Sequence, residues 1–165
     1  MEKNKKILAI DPGLSLGAAF FPKGSVYPSI VKLIIPKNPK KDFFNQLDST
    51  ICQLERFFYE VNPDIVVCEY PGFFDSAGGS AVAKKGNLVK LAFGVGRIAQ
   101  LVKMDERGIS FLPIPVNQWK GQLPKKIVIK RIQKIIPRRN LETLQPKDDC
   151  WDAIGLGLHV RGVFK

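Results

Sequence analysis

Two carboxylates in this chain stand where carboxylates are costly. Asp11 closes the apolar run Ile7-Leu8-Ala9-Ile10 and is followed by Pro12-Gly13. Glu69 closes Ile65-Val66-Val67-Cys68 and is followed by Tyr70-Pro71-Gly72. Apolar runs of this length, bounded by turn residues, read as buried strands, and an acid where such a strand leaves the core needs a partner to offset its desolvation. A lone Asp-Pro-Gly would read as a capped turn; a second acid-ended strand of the same design points to a shared cation. Asp149 and Asp152 add two more acids, three apart and so on one helix face, in a first turn where the helix dipole favours negative charge. Neighbouring strands lie about 4.8 Å apart, so Asp11 and Glu69 on adjacent strands could reach one ion. A helix start packed over the strand ends would bring all four acids together. Asp148 is open between two roles: the N-cap of that helix, or a ligand in place of Asp149. Oxygen-only ligands suit Mg2+ or Mn2+ rather than zinc. A pair of such ions about 3.5–4 Å apart activates water and stabilises the leaving oxygen of an in-line phosphoryl displacement.

The elements that must position these acids follow from periodicity and turn chemistry. Residues 7–11 and about 17–22 predict a β-hairpin, and 29–35 a third strand ending before Pro36. After the loop 36–41, Asp42 is a good N-cap for a helix whose apolar face is Phe43, Leu47, Ile51, Leu54 and Phe58 and which Asn62-Pro63 stops. The intervening helix allows the fourth strand, 64–69, to pair parallel to the first. A Gly- and Ser-rich stretch over 72–80 precedes a long helix at about 81–104 carrying the small residues Ala92, Gly94, Gly96 and Ala99. A fifth strand is expected at 109–114. The final helix, from Asp148, carries Asp149, Asp152, Ala153, Leu156 and Val160 on one face. The sum is an α/β fold with a mixed five-stranded sheet, three antiparallel strands plus two parallel, flanked by helices. Residues 1–165 read as one domain.

The charge balance points to polyanions. Lys and Arg number 26 against 15 Asp and Glu, a net charge of +11. It is concentrated over 117–147, where Lys120, Lys125, Lys126, Lys130, Arg131, Lys134, Arg138, Arg139 and Lys147 face the single acid Glu142. No apolar run approaches the roughly 20 residues that span a bilayer, and Asp11 interrupts the apolar run behind Lys3, Lys5 and Lys6 too early for a secretory signal. Cys52, Cys68 and Cys150 show no paired zinc spacing and read as reduced thiols, which suits a cytoplasmic protein. Trp119 reads as a core residue and His159 as structural. Lys84-Lys85 is a solvated helix face unless it touches DNA. Phe73-Phe74 either folds onto the core or, beside a phosphate-binding surface, stacks on splayed bases.

Four stretches together resemble the RuvC family: Ile10-Asp11-Pro12-Gly13, Cys68-Glu69-Tyr70-Pro71, Trp119-Lys120-Gly121-Gln122-Leu123-Pro124-Lys125, and Asp149-Cys150-Trp151-Asp152-Ala153-Ile154. These proteins are Holliday-junction resolvases of the RNase H-like superfamily, and the chain is most similar to their bacteriophage-type members, which would place it in a bacterial host's cytoplasm. The resemblance spans essentially the whole chain in the family's order. It implies Asp11, Glu69, Asp149 and Asp152 as catalytic ligands of two Mg2+ ions, which Mn2+ would replace. It implies Lys120 and either Lys125 or Lys126 as basic catalytic residues beside the cut phosphate. It also implies a homodimer that nicks a four-way or related branched DNA junction symmetrically, leaving 5′-phosphate and 3′-hydroxyl ends, with no nucleotide cofactor and no membrane partner. Bacterial relatives insert an aromatic residue just after the second carboxylate; Phe73 and Phe74 lie near that position, offset by one. With Lys84, Lys85, Lys120, Lys125, Lys126, Lys130 and Arg131 they form the expected DNA-binding set.

Three other readings compete. A nuclease of the same fold that processes structured RNA would prefer RNA to a junction. An actin-like or sugar-kinase ATPase shares the Asp-x-Gly-x-x-x-Gly loop after its first strand, but needs two such domains and a second phosphate loop. A branched-DNA-binding protein without catalysis would have no use for acids that repel phosphate in the absence of metal.

Overall fold

The computed structural model describes residues 4–70 and 87–164. Three strands open the chain, β1 (Ile7–Asp11), β2 (Leu16–Phe21) and β3 (Ile30–Ile34), followed by helix α1 (Phe43–Val61), strand β4 (Ile65–Tyr70), helix α2 (Asn87–Lys103) and strand β5 (Ser110–Pro115). Four helices complete it: α3 (Val116–Trp119), α4 (Lys125–Ile135), α5 (Arg138–Leu144) and α6 (Asp148–Val160). The sheet order is β3-β2-β1-β4-β5, antiparallel among the first three strands and parallel at β1–β4 and β4–β5. This is the expected mixed sheet. The hairpin can turn tightly at Pro12-Gly13, whereas the parallel neighbours need helical crossovers.

Strand alternation splits the core in two. Leu8 and Ile10 of β1, Ala18 and Phe20 of β2, and Val66 and Cys68 of β4 point to one face. There they meet Leu47, Ile51, Leu54, Phe57 and Phe58 of α1, and Val95, Ile98 and Val102 of α2. Ile7, Ala9, Ala19, Phe21, Ile65 and Val67 point to the other face, against Val128 and Ile132 of α4 and Ala153, Ile154, Leu156 and Leu158 of α6. Each such buried side chain contributes about 1.5–3 kcal/mol. Continuing the same alternation, Asp11 and Glu69 fall on the α6 face.

α6 lies close on β1 and β2 because glycines leave room for it. A Cβ at Gly157 would sit 2.0 Å from the Phe21 ring, and one at Gly155 2.6 Å from the Trp119 ring. A Cβ at Gly17, which pairs with Asp11 across the hairpin, would sit 2.1 Å from the Asp149 carbonyl oxygen. At the opposite end of α6 the fully buried Arg161 donates from Nη2 to the carbonyls of Lys5 (2.9 Å), Phe21 (3.4 Å) and Pro22 (2.7 Å), tying the helix to the β1 and β2 ends.

Boundaries differ from the sequence reading in small ways. β2 and β3 are shifted or shortened by a residue, and β4 runs through Tyr70 because Glu69 and Tyr70 pair with Ile114 and Pro115 of β5. Glu69 is therefore held within the ladder rather than at its end. Asp42 caps α1 as expected, accepting from the Asn45 backbone N–H at 3.1 Å. Of the two roles open to Asp148, the N-cap is not taken: Lys147 occupies that position, without a side-chain bond, and Asp148 is the first helical residue. The expected helix at 81–104 is described from Asn87 onward; its first residues lie outside the described part.

Candidate active site

The acids meet at the carboxyl ends of β1 and β4. The last paired couple of these strands is Ile10–Cys68, so Asp11 and Glu69 follow at the same level on the same face. The first turn of α6 comes over them, held down at Gly17, and supplies Asp149 and Asp152. Glu69 and Asp152 are buried, while Asp149 is half-exposed.

Two ammonium groups stand among the four acids. Lys120 Nζ lies 3.1 Å from Glu69 Oε2 and 2.9 Å from Asp152 Oδ1. Lys125 Nζ lies 3.3 Å from Asp152 Oδ2, 3.4 Å from Asp148 Oδ2 and 3.7 Å from Asp149 Oδ1. Lys120 follows α3, which continues directly from β5, and Lys125 opens α4; the loop between them carries the chain round the acidic pit. Burial opposes the charge of both lysines, but the facing acids outweigh it and raise both pKa values.

Asp11 has no such counter-ion at contact distance. No donor among the described residues hydrogen-bonds it or pairs with it. Burial first, then the charges of Glu69 and Asp152, push its carboxyl well above the usual range, with Lys120 offsetting only part. Burial also raises Glu69, against the pull of Lys120 and a hydrogen bond from Trp119. That bond is the contact the sequence reading missed: Trp119 Nε1 donates to Glu69 Oε2 at 3.0 Å. Trp119 is buried, as expected of a core residue, but its polar edge faces the site. The signal available was its place next to Lys120.

The donors suit a hard divalent ion. They are all carboxylate oxygens, and Asp11 is an acid with no partner among the described residues. As the structure stands, no three of the described His, Cys, Asp and Glu side chains are gathered around one point for a metal. Lys120 and Lys125 bridge Glu69, Asp152, Asp148 and Asp149.

The remaining expected residues fall in two groups. Lys126, Lys130 and Arg131 are exposed on α4, the helix that Lys125 opens, and Arg138 and Arg139 are exposed on α5. Phe73, Phe74, Lys84 and Lys85 lie outside the described residues. Asp148 is 84% exposed and pairs with Lys125. No helix among the described residues is long and apolar enough to cross a membrane.

No family model matches the chain, and no curated protein matches it in sequence. Solved structures do match. Thermus thermophilus RuvC in complex with its Holliday junction substrate aligns over 97% of this chain and 98% of its own, with TM-score 0.65 and 16% identity. A second Thermus thermophilus RuvC structure aligns over 96% and 97%, with TM-score 0.61 and 17% identity. The yeast mitochondrial Holliday junction resolvase aligns over 94% of this chain and 77% of its own, with TM-score 0.56 and 16% identity. At these identities the likeness is one of fold, and it is end to end: the chain has the RuvC-like, RNase H-like fold.

Proposed function

We propose that the chain is a divalent-metal-dependent endonuclease that resolves four-way and related branched DNA junctions. The observation that carries this reading is the meeting of Asp11, Glu69, Asp149 and Asp152 at one end of the sheet, with the basic surface of α4 and α5 beside them. Asp11, Glu69, Asp149 and Asp152 would hold the ions, Mg2+ or Mn2+ by donor chemistry. When bound, the ions supply Lewis-acid activation of water and neutralisation of charge at the scissile phosphate.

The chain's own residues do the rest. Lys126, Lys130 and Arg131 hold the DNA backbone, fixing register without reading sequence. Lys120 and Lys125, displaced from the acids, become cations at the rim of the pit, where they stabilise the charge of the phosphoryl group in transit. The close approach at Gly17 keeps the start of α6, with Asp149, against the β1–β2 hairpin.

Symmetric resolution of a junction requires two active sites, and we assign a second copy of the chain to the exposed apolar face of α2. Val89 and Phe93 are more than half or about half exposed there, and Phe93 meets the exposed Phe44 of α1 edge-on at 5.8 Å between ring centroids. The Arg97–Asp48 ion pair, 2.9 Å, borders the patch. A small apolar centre with a charged rim is how protein–protein contacts are built.

The test is cleavage of a synthetic four-way junction with Mg2+, with a linear duplex and a structured RNA of equal length alongside. Paired nicks in opposing strands of the junction, bearing 5′-phosphate and 3′-hydroxyl ends, are expected. Preferential cutting of the RNA would replace the junction reading, and metal-independent junction binding without cleavage would leave a binding protein.

A further inference from the structure

We infer that Trp119 is a positioning residue for Glu69: its indole N–H holds one carboxylate oxygen so that the other is presented to the catalytic ion. The inference rests on the nuclease reading above. Three observations carry it. First, both donors of Glu69 fall on the same oxygen: Trp119 Nε1 and Lys120 Nζ reach Oε2 at 3.0 and 3.1 Å, and Oε1 takes no bond from any described residue. Second, the indole cannot wander. Trp119 is 4% exposed, its ring fills the space a side chain at Gly155 would need, and the Phe164 ring packs against it at 5.8 Å. Its short helix grows straight out of β5, whose Ile114 pairs with Glu69 itself.

Third, the two donors differ in what happens when a cation arrives. An ammonium and a divalent ion on one carboxylate repel each other, so Lys120, on a flexible stem, must give way. The indole is neutral, and its bond to Oε2 is compatible with a metal on Oε1. Among the described residues, Trp119 is therefore the side-chain donor to Glu69 whose bond would remain compatible with a bound ion. Hydrogen-bond donors that orient a metal-ligating carboxylate from behind act in this way, and their loss weakens metal affinity or activity about 10–100-fold. The Lys120 ammonium, while paired with the acids, also lies over the same ring, 4.8 Å from its centre.

The experiment compares Trp119→Phe with the wild type by titrating Mn2+ directly, reading free ion by electron paramagnetic resonance, with thermal unfolding and metal-free junction binding in parallel. Phe removes the donor edge together with part of the indole that packs against Gly155 and Phe164, which is why unfolding is followed in parallel. Mn2+ affinity is expected to fall about 10–100-fold while metal-free junction binding is unchanged. Replacing Trp119 with benzothienylalanine, which has the shape of tryptophan with sulfur in place of N–H, gives the same answer if the Phe variant folds poorly. The second arm repeats the substitution in Glu69→Gln. If Trp119 acts through Glu69, the double variant binds Mn2+ no more weakly than Glu69→Gln alone. Wild-type Mn2+ affinity in both donor-less variants, or a full additional loss on top of Glu69→Gln, overturns the positioning role. Wild-type affinity in Glu69→Gln itself overturns the metal reading of the site, a separate failure.

Discussion

Asp11 is the residue with most to lose from the metal-free state. It faces Glu69 and Asp152 without a bonded counter-ion among the described residues, and its carboxyl is pushed up, by burial first and then by those acids. The folded chain thus holds this proton to higher pH than the unfolded chain does. Stability in the absence of metal is greatest below the ordinary aspartate range and falls as pH rises through the folded value. Asp11→Asn should remove that fall and raise the thermal midpoint at neutral pH, because the amide carries no charge to set against Glu69 and Asp152. Thermal unfolding against pH for the two proteins checks it. The same variant should lose junction cleavage and keep junction binding, since deleting a negative charge does not weaken phosphate contacts; equal loss of both activities would make the acid structural. Lys120 and Lys125 lose their stabilising effect in the same direction, but at far higher pH. Their raised pKa values, with the acids outweighing burial, keep their contribution to stability intact through neutral pH, and it is lost only as pH climbs through their folded values.

At the scale of elements, the decisive contact is the start of α6 over β2. Gly17→Ala would place a methyl group 2.1 Å from the Asp149 carbonyl oxygen, backbone against backbone, which no rotamer change relieves. Overpacking of this kind costs about 1–3 kcal/mol. Because the strained contact lies between two active-site acids, cleavage should fall far more than stability does, as measured by single-turnover rate beside urea unfolding. Much of this architecture was readable in advance. The strand runs ending in Asp11 and Glu69, the capping Asp42 and the face carrying Asp149 and Asp152 are local patterns of period two or 3.6, and the structure reproduces their elements. What escaped were tertiary contacts that local pattern does not encode. Glu69 sits inside β4 because β5 extends the ladder past it. Lys147 displaced Asp148 from the cap. Trp119 proved polar at its edge because α3 turns that edge toward Glu69. Arg161, which no local pattern singles out, is buried with three carbonyls accepting from its Nη2.

Across the whole molecule, the basic surface and the exposed α2 face make separable predictions. Lys126→Ala should lower the slope of log affinity against log salt for junction binding by about one unit if the side chain touches phosphate, without changing metal affinity. If α2 carries the proposed contact with a second copy, Phe93→Asp should give a monomer in sedimentation and turn paired nicking into uncoordinated single nicks, leaving the four acids intact. The buried Arg161 clamp concerns both faces at once, because α6 carries two of the acids at one end and this clamp at the other. A 13-residue helix is about 20 Å long, so a tilt of roughly three degrees at the clamped end sweeps the carboxylates through about 1 Å, a displacement that can slow chemistry about a hundredfold. If the proposed function holds, alignment of the acids is set partly from the far pole of α6, and exchanging that guanidinium for lysine would register as a lost reaction at a place it never touches.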